Sequence, residues 1–321
     1  MEIIKITPDN ISELKSIYSA FCKNAKEDYL FEAPPIPFQD FMMNFKEGFI
    51  EGYLCKNPTV DAFLLYTTSL GNAIEITLLY TRENTNNYVM KNALLERFLT
   101  DIKQQYSNSI ISYPMLGVQN DYAQDITNIG FKLVGEMIVE FNFSNPISHV
   151  LLSKADVKIP QLPFNIDRWQ DVYLDDAAEC LCQEFSQLND VKFDPRFLTI
   201  DGSKEVLECI TKGYYGKFLP QATTVLRHEH KPIGYCFVNL TADDIANIPL
   251  IYISKEYKQQ GLGAFILKNS VTSLKNAIAD EQLAVKVVNA TCDTDNFPAV
   301  RTYRKLGFKE KNYYAHAYYN L

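Results

Sequence analysis

The chain has 321 residues and carries 31 Lys and Arg against 39 Asp and Glu, a formal net charge of −8. Hydrophobic residues make up 47% and charged residues 22%, the composition of a globular protein long enough for about two domains. The net negative charge argues against a protein that binds along a nucleic-acid backbone, because such binding requires a net basic face.

The sequence carries no pattern typical of membrane insertion or export. No apolar run reaches the roughly 18 residues of a membrane-spanning helix, and the first residues lack a charged segment followed by an apolar one. The seven cysteines are scattered and form no Cys-x-x-Cys pair, which is typical of reduced, buried thiols. We therefore expect a cytoplasmic protein with no nucleic-acid or membrane partner. Its oligomeric state stays open, a monomer included.

Hydrophobic periodicity predicts alternating strands and helices along the first half. The predicted elements are, in order, a strand over 2–6, a helix through Asn24, strands over 61–69 and 73–81, a helix over 89–104 and a strand over 109–113. Gly71-Asn72 is the hairpin turn expected between the second and third strands.

The second half repeats this order of elements. Its predicted elements are a strand over 162–169, a helix over 174–188, strands over 222–228, 232–240 and 248–254, a helix over 262–277 and a strand over 283–290. Both halves then continue with a short helix, a Gly-Phe pair and a final strand.

Two anchors align the halves. Leu78 and Leu250 begin similar strand segments 172 positions apart, and Gly130-Phe131 and Gly307-Phe308 lie 177 positions apart. We predict two tandem domains of mixed α/β fold, over 1–145 and 163–321, joined by a linker over 146–162. The alternative is one large α/β domain with coincidental Gly-Phe pairs.

The most informative stretch joins a buried strand to an amphipathic helix. Its turn consists of Lys258, Gln259, Gln260, Gly261, Leu262, Gly263 and Ala264. A helix start leaves backbone N–H groups without internal partners and carries a partial positive charge, so it favours anions. The two glycines would let a phosphate approach the backbone closely. The turn matches neither the GxGxxG fingerprint nor the P-loop.

A second stretch lies about 35 residues further on and contains Asn296, Ala299, Tyr303, Leu306, Gly307 and Phe308. The two stretches in this order resemble the motifs of the GCN5-related N-acetyltransferase (GNAT) superfamily. The resemblance covers 163–321 closely and 1–145 only faintly. It implies a sheet splayed between two central strands and flanked by helices, with acetyl-CoA as cosubstrate in the gap.

The same resemblance assigns roles to individual residues. It implies that 259–264 bind the pyrophosphate and that the main chain of Ile251, Tyr252 and Ile253 binds the pantetheine arm. Asn296 would contact that arm. Lys258 stands where the family favours Arg or Gln, which keeps a positive charge but loses the forked donor.

Acetyl transfer to an amine needs a proton donor for the departing thiolate, and a tyrosine hydroxyl is suited to this task. The resemblance implies that Tyr303 stands near the thiol, so Tyr303 is our hypothesis for the general acid, a core tyrosine being the alternative. The general base stays open, with Asp243, Asp244 and Glu229 as candidates and a water relay as another route. Cys292 leaves a covalent acyl-cysteine route open beside the interpretation as an inert thiol.

The first half departs from these motifs. Aligned at an offset of 172, Val89 stands opposite Gly261 and Lys91 opposite Gly263, and at an offset of 177 Ile126 stands opposite Tyr303. Branched and long side chains at the close-approach positions predict a degenerate copy that keeps the fold without the cofactor loop.

The leading function is acetyl-CoA-dependent N-acetyl transfer to a primary amine of a small molecule, amino acid, peptide or protein, by direct attack in a ternary complex. The alternatives are a non-catalytic CoA-binding sensor or scaffold, and an acyltransferase for a longer acyl group. No metal site is predicted, since His228 and His230 fit the tip of a hairpin.

Overall fold

The computed structural model describes residues 1–32, 34–57, 59–70, 73–82, 87–157, 164–280 and 282–321, which divide into two compact units. Unit 1 comprises Met1–Val134, Lys192–Pro195 and Tyr314–Leu321, and unit 2 comprises Gly135–Val191 and Arg196–Tyr313. Each unit contains mixed β-sheet with flanking helices, which confirms the predicted fold class. The predicted hairpin turn Gly71-Asn72 lies outside the described residues.

Unit 1 follows the predicted order of elements. Its strands are β1 (Glu2–Lys5), β2 (Glu51–Lys56), β3 (Val60–Leu70), β4 (Ala73–Thr81) and β5 (Ile110–Pro114). Its helices are α1 (Lys15–Asn24), α2 (Phe38–Lys46), α3 (Asn87–Gln105) and α4 (Ala123–Asn128). The strands pair in the order β1-β2-β3-β4-β5, and the last residues of the chain pair with β5. The sequence patterns did not predict α2 or β2.

Unit 2 contains most of the remaining elements. Its strands are β6 (Lys132–Asn142, from Gly135 onward), β7 (Phe164–Asp167), β8 (Lys217–Phe218), β9 (Thr224–His228), β10 (Lys231–Cys236), β11 (Asn239–Ala242), β12 (Ile245–Ile248), β13 (Ile251–Ile253), β14 (Val287–Asp293) and the start of β15 (Lys309–Asn320). Its helices are α5 (Pro146–Lys154), α6 (Leu174–Phe185), α7 (Ile200–Thr211), α8 (Leu262–Ala279) and α9 (Phe297–Lys305).

Two sheets organise unit 2. One has the order β6-β14-β12-β11-β8 and the other β13-β10-β9-β7. The predicted strand over 248–254 is therefore wrong in one respect, because β12 ends at Ile248 and β13 begins at Ile251 in the other sheet. Pro249 lies at the break and has no N–H to donate to a ladder, which explains the interruption.

Two apolar cores cover the opposite faces of the unit 2 strands. One contains the apolar stripe of α8, together with residues of α9 such as Val300 and Tyr303. The other contains α6 and α7 with Tyr235, Phe237 and Tyr252 from the strands. Alternate residues along each strand face one core or the other, as the period of two in a strand requires.

The predicted linker contains a helix, α5. Asn145 caps it by accepting a hydrogen bond from the N–H of Ile147 at 2.9 Å, and Pro146 occupies the first turn, where its missing N–H is not needed. Ser148 donates to the carbonyl oxygen of Gly307 at 2.9 Å, so this helix packs within unit 2. The domain boundaries at 145 and 163 stay predictions. Within the described ranges, no helix combines the length and apolar character of a membrane crossing.

Candidate active site in unit 2

The parallel strands β12 and β14 separate partway along their length. They pair from Ile245 and Val287 as far as Ile248 and Ala290. Beyond this point β13 pairs with β10, whereas β14 continues beside β6 to Asp293. We call the gap between Ile251–Ile253 and Thr291–Asp293 the unit 2 split. Its presence agrees with the splayed sheet that the resemblance implies.

The main chain of β13 offers hydrogen-bonding groups to this split. The carbonyl oxygen of Leu250 accepts a hydrogen bond from the N–H of Phe237, just after β10, at 3.0 Å, and the N–H of Ser254 donates to the carbonyl oxygen of Ile233 in β10 at 2.8 Å. Even-numbered residues of β13 therefore face β10, and Ile251 and Ile253 direct their N–H and C=O groups into the split. Of the three predicted main-chain contacts, Tyr252 is the one whose backbone faces away.

The turn before α8 leaves its backbone N–H groups exposed. The N–H groups of residues 259–264 form no hydrogen bond within the described part of the chain. Gly261 precedes the helix with φ +83°, and a Cβ there would meet nothing within 4 Å. A left-handed glycine with open space above it, beside a helix N-terminus, has the geometry that favours an anion, and we call residues 259–264 the cradle.

The cradle adjoins the split. A Cβ on Gly263 would lie 3.9 Å from Cγ1 of Ile253, so the first turn of α8 sits against β13. Gln260 donates through Nε2 to the carbonyl oxygen of Glu256 at 3.3 Å. Lys258 forms an ion pair with Glu184 of α6, with Nζ 2.5 Å from Oε2. The carboxylate therefore balances part of the positive charge that Lys258 was expected to offer to an anion.

Asn296 serves as the N-cap of α9. Its Oδ1 accepts a hydrogen bond from the N–H of Ala299 at 3.2 Å. The cap fixes the start of the helix and orients the Asn296 side chain. Within the described residues its Nδ2 donates no hydrogen bond, which leaves that group available to a ligand.

Tyr303 is a buried residue of α9, with 3% of its surface exposed. Its ring packs on Phe308 with centroids 5.1 Å apart, and its hydroxyl forms no hydrogen bond to any described residue. Burial raises the pKa of Tyr303 well above its usual value, and the thiols of Cys236 and Cys292 raise it further. The hydroxyl therefore stays protonated at neutral pH and can act as a donor.

The two thiols near Tyr303 flank the unit 2 split. Cys236 pairs with Ile251 of β13, and Cys292 lies in β14 beyond the last residue paired with β12. Burial, followed by the charge of Asp293, raises the pKa of Cys292 to about 11. The thiol is therefore protonated at neutral pH, which opposes the acyl-cysteine route.

The base candidates from the sequence do not line the split. Asp243 and Asp244 occupy the turn between β11 and β12, at the end of β12 away from the split, and Asp244 pairs with Lys286 at 3.1 Å. Glu229 occupies the two-residue tip of the β9–β10 hairpin with φ +55°. No group of three or more His, Cys, Asp or Glu side chains in the described ranges could hold a metal ion.

The sequence analysis missed two carboxylates beside the split. Glu136 of β6 pairs directly with Asp293 of β14, and Glu136 is only 7% exposed. Alternation puts both on the strand face opposite Cys292. Asn189, which follows α6, donates to Asp293 at 2.8 Å. No local signal marks Glu136, because its partner lies far along the chain, whereas Asp293 stands three residues before Asn296.

Unit 1 contains a counterpart of the split that is bridged by protein atoms. β4 and β5 pair only from Ala73–Glu75 to Ile110–Ser112 and then part. Oε1 of Gln119 accepts hydrogen bonds from the N–H of Leu79 at 3.1 Å and from the hydroxyl of Tyr113 at 2.9 Å. Leu79 stands 172 positions before Ile251, and Gln119 stands 177 positions before Asn296. The N–H of Leu79, which corresponds to the N–H of Ile251, is thus hydrogen-bonded by a side chain of the protein.

Comparisons with known proteins agree with this geometry. The family model described as "Acetyltransferase (GNAT) domain" matches residues 220–310. A search of curated proteins finds no significant match to the sequence.

Solved structures resemble the whole chain. A GCN5-related N-acetyltransferase from Sphaerobacter thermophilus superposes with TM-score 0.64 at 12% identity, covering 99% of this chain and 95% of that one. A tandem GNAT protein from the clavulanic acid biosynthesis pathway superposes with a TM-score of 0.62 at 12% identity. The match covers 99% of this chain and 98% of that one.

A third structure is the GCN5-related glucosamine N-acetyltransferase region of a fungal multi-domain GH3 β-N-acetylglucosaminidase. It gives a TM-score of 0.64 at 10% identity, covering 99% of this chain and 38% of that one. At such identities these likenesses establish the fold. The fold of the chain therefore resembles that of a tandem GNAT protein, and residues 220–310 of unit 2 match the GNAT family model.

Proposed function

We propose that the chain is an N-acetyltransferase that uses acetyl-CoA as cosubstrate and acetylates a primary amine in unit 2 alone. The observation that carries this proposal is the continuity between the unit 2 split and the bare N–H groups of residues 259–264. An acyl-CoA has an extended arm with amide groups and a diphosphate at one end. The split and the cradle offer matching partners in that order.

The residues present fit this cosubstrate. The diphosphate would lie against the N–H groups of Gln259, Gln260, Gly261, Leu262, Gly263 and Ala264, where the helix dipole adds favourable charge. Ile251 and Ile253 would bond the arm as an added strand. Asn296 would donate through Nδ2. Lys258 would interact with the diphosphate from its place beside Glu184, and we expect a smaller contribution from it than from an unpaired cation.

The reaction would follow from the groups that face the split. Acetyl-CoA supplies a thioester, and a neutral amine attacks its carbonyl carbon. A C–N bond forms and the C–S bond breaks, while Tyr303 gives its hydroxyl proton to the departing thiolate and takes a proton back from water. An N–H of β13 would stabilise the negative charge on the carbonyl oxygen. The proton of the attacking amine passes to a carboxylate or to water.

Glu136 and Asp293 favour a cationic acceptor. They lie beside the split on the face opposite Tyr303 and Cys292, so an amine approaching from their side would meet negative charge. The same carboxylates are candidates for the base that neutralises the amine. The glucosamine named for one structural relative is itself a primary amine that is cationic at neutral pH, and it belongs in the first acceptor panel.

Two experiments test the proposal. Calorimetric titration with acetyl-CoA should give one site per chain, and the Gly261→Val variant should abolish that site. Thiol release should then accompany acetylation of at least one member of a panel of amino sugars, polyamines, amino acids and lysine peptides. Binding without thiol release for any amine would favour the sensor, and faster turnover with butyryl-CoA than with acetyl-CoA would favour the longer acyl group.

A further inference from the structure

Unit 1 contains a cavity of about 220 Å³ that the acetyl-transfer proposal does not use. It lies between the end of β4, the first turns of α3 and the end of α1. Its wall includes Lys91, Asp28, Asp121, Tyr29, Tyr80 and Tyr88. The cavity is thus small, aromatic on its sides, and charged with both signs.

Lys91 is the unusual residue in this wall. It is only 7% exposed, and its ammonium forms no hydrogen bond or ion pair with any residue in the described ranges. The ammonium instead lies over the ring of Tyr122, with Nζ 5.2 Å from the ring centroid. Burying an ammonium without a hydrogen-bonded partner is unfavourable by several kcal/mol, so a protein that retains one usually gains something from it.

The electrostatics of the cavity agree with an ammonium that lacks a close anion. Burial lowers the pKa of Lys91, and the carboxylates of Asp121 and Asp125 only partly oppose this effect. An anion brought next to Nζ would favour the charged form of Lys91 and would supply the partner that the ammonium lacks.

The two carboxylates narrow the chemistry of that anion. Asp28 and Asp121 line the same cavity and would repel a doubly charged group such as phosphate. They would attract an ammonium group. Three tyrosine rings complete the wall and offer both apolar faces and hydroxyl groups to a compact ligand.

From this arrangement we propose that the cavity of unit 1 binds a small zwitterion, a free α-amino acid, with its carboxylate at Lys91 and its ammonium near Asp28 and Asp121. The site is distinct from the acetyl-transfer site of unit 2, because every residue that lines it belongs to unit 1. Unit 1 would then be a ligand-binding domain in its own right.

The test uses the full chain without acetyl-CoA. The twenty common amino acids are screened by thermal shift, and each hit is titrated calorimetrically beside its methyl ester, its decarboxylated amine, acetate and inorganic phosphate. We expect at least one amino acid to bind at least tenfold more tightly than any of these analogues. No hit, or equal binding of acetate or phosphate, would overturn the proposal.

Variants locate the site. Lys91→Met should weaken the hit at least tenfold and, since it removes a buried charge, should raise the melting temperature without ligand. Lys103→Met, at an exposed position of the same helix where the ammonium also lies over a tyrosine ring, is the matched control and should leave ligand binding unchanged. Should Lys91→Met fail to fold, the exposed Asp121→Asn variant carries the test through loss of the ammonium contact. Undiminished binding in both variants would refute the assignment.

The Gly261→Val variant separates this proposal from the acetyl-transfer proposal. It should abolish acetyl-CoA binding and leave amino-acid binding intact, because Gly261 lies in unit 2. Loss of amino-acid binding in this variant would show that the amino acid binds at unit 2, and would overturn the site in unit 1 whether or not acetyl transfer is confirmed.

Discussion

Both units contain a split between two parallel strands, and they differ in what fills it. In each, two parallel strands part after a short paired stretch and leave main-chain groups without a strand partner. In unit 1 the side chain of Gln119 bridges the opening and bonds the N–H of Leu79. In unit 2 the corresponding N–H of Ile251 faces an opening that Asn296, from the matching place in the sequence, does not bridge.

The difference teaches how a split sheet either is closed by a side chain or leaves main-chain groups available. Buried N–H groups need partners, and a side-chain oxygen in unit 1 meets that need permanently. In unit 2 Asn296 uses its oxygen to cap α9, so the β13 groups stay available.

The largest effect is expected for Tyr303→Phe, which removes the proposed proton donor from unit 2. We expect kcat to fall by about 10²-fold or more while the KM for acetyl-CoA stays nearly unchanged, as for loss of a general acid. Because burial raises the pKa of Tyr303, the wild-type rate should not decline as the pH rises through 10, where an exposed tyrosine would lose its proton.

The matched control is Tyr235→Phe, since Tyr235 is also fully buried and donates to the carbonyl oxygen of Ala177 at 3.3 Å. It should lower stability by about 1 kcal/mol and leave kcat unchanged. Steady-state kinetics over pH 6 to about 10.5 decides the matter. Equal kcat in wild type and Tyr303→Phe would assign Tyr303 to the core alone.

The next effect concerns the anion cradle. Gly261→Ala should weaken acetyl-CoA binding about tenfold or more, which corresponds to 1.4 kcal/mol, because the methyl group occupies the space above a left-handed residue. Gly48 provides a close control, with φ +79° and equally open space above it. Both variants should lose about 1 kcal/mol of folding stability, and only Gly261→Ala should lose affinity in calorimetric titration. Equal affinities would show that the cradle is not used.

The residue patterns predict the turn and the helix start before α8, whereas the split was expected only from the family resemblance, for physical reasons. Gly261, Gly263 and the apolar period of α8 are local signals, so the helix start at Leu262 follows directly from them. The split depends on which strands pair, and that is set by contacts between distant segments. Pro249 marks the break between β12 and β13, yet a proline in a strand pattern is equally compatible with an edge position.

The remaining site features show the same limit. Glu136 reaches Asp293 only through the pairing of β6 with β14, which no periodicity within either strand reveals. Gln119 could have been found from the offset of 177 that aligns it with Asn296, although its hydrogen bond to Leu79 could not. Local chemistry was therefore predictable, and long-range juxtaposition was not.

A smaller effect tests the bridge in unit 1. Gln119→Met keeps the length of the side chain but removes the acceptor, which leaves the N–H of Leu79 and the hydroxyl of Tyr113 buried without a partner. We expect a loss of about 1–3 kcal/mol in the free energy of unfolding, measured by denaturant titration. Gln104→Met at an exposed position of α3 should be neutral. Acetyl-CoA stoichiometry should stay at one per chain, and a rise to two would mean that Gln119 alone blocks a second site.

The smallest effect on turnover is expected at Cys292, a thiol of unit 2 whose counterpart 177 positions earlier is Met115. With its pKa raised to about 11, the thiolate fraction at pH 8 is only about 10⁻³, too small for an efficient nucleophile. Alkylation by iodoacetamide, followed on the Cys292 peptide by mass spectrometry, should therefore accelerate about tenfold per pH unit from 8 to 10. In the urea-unfolded chain the alkylation rate should instead level off near pH 9.

Cys292→Ala should keep kcat within about twofold, because attack by the amine on the thioester needs no enzyme thiol. A complete loss of turnover in this folded variant, together with an acetylated Cys292 peptide in the wild type, would replace direct transfer with a covalent route and would make the chemistry of the two units differ by a nucleophile as well as by an open split.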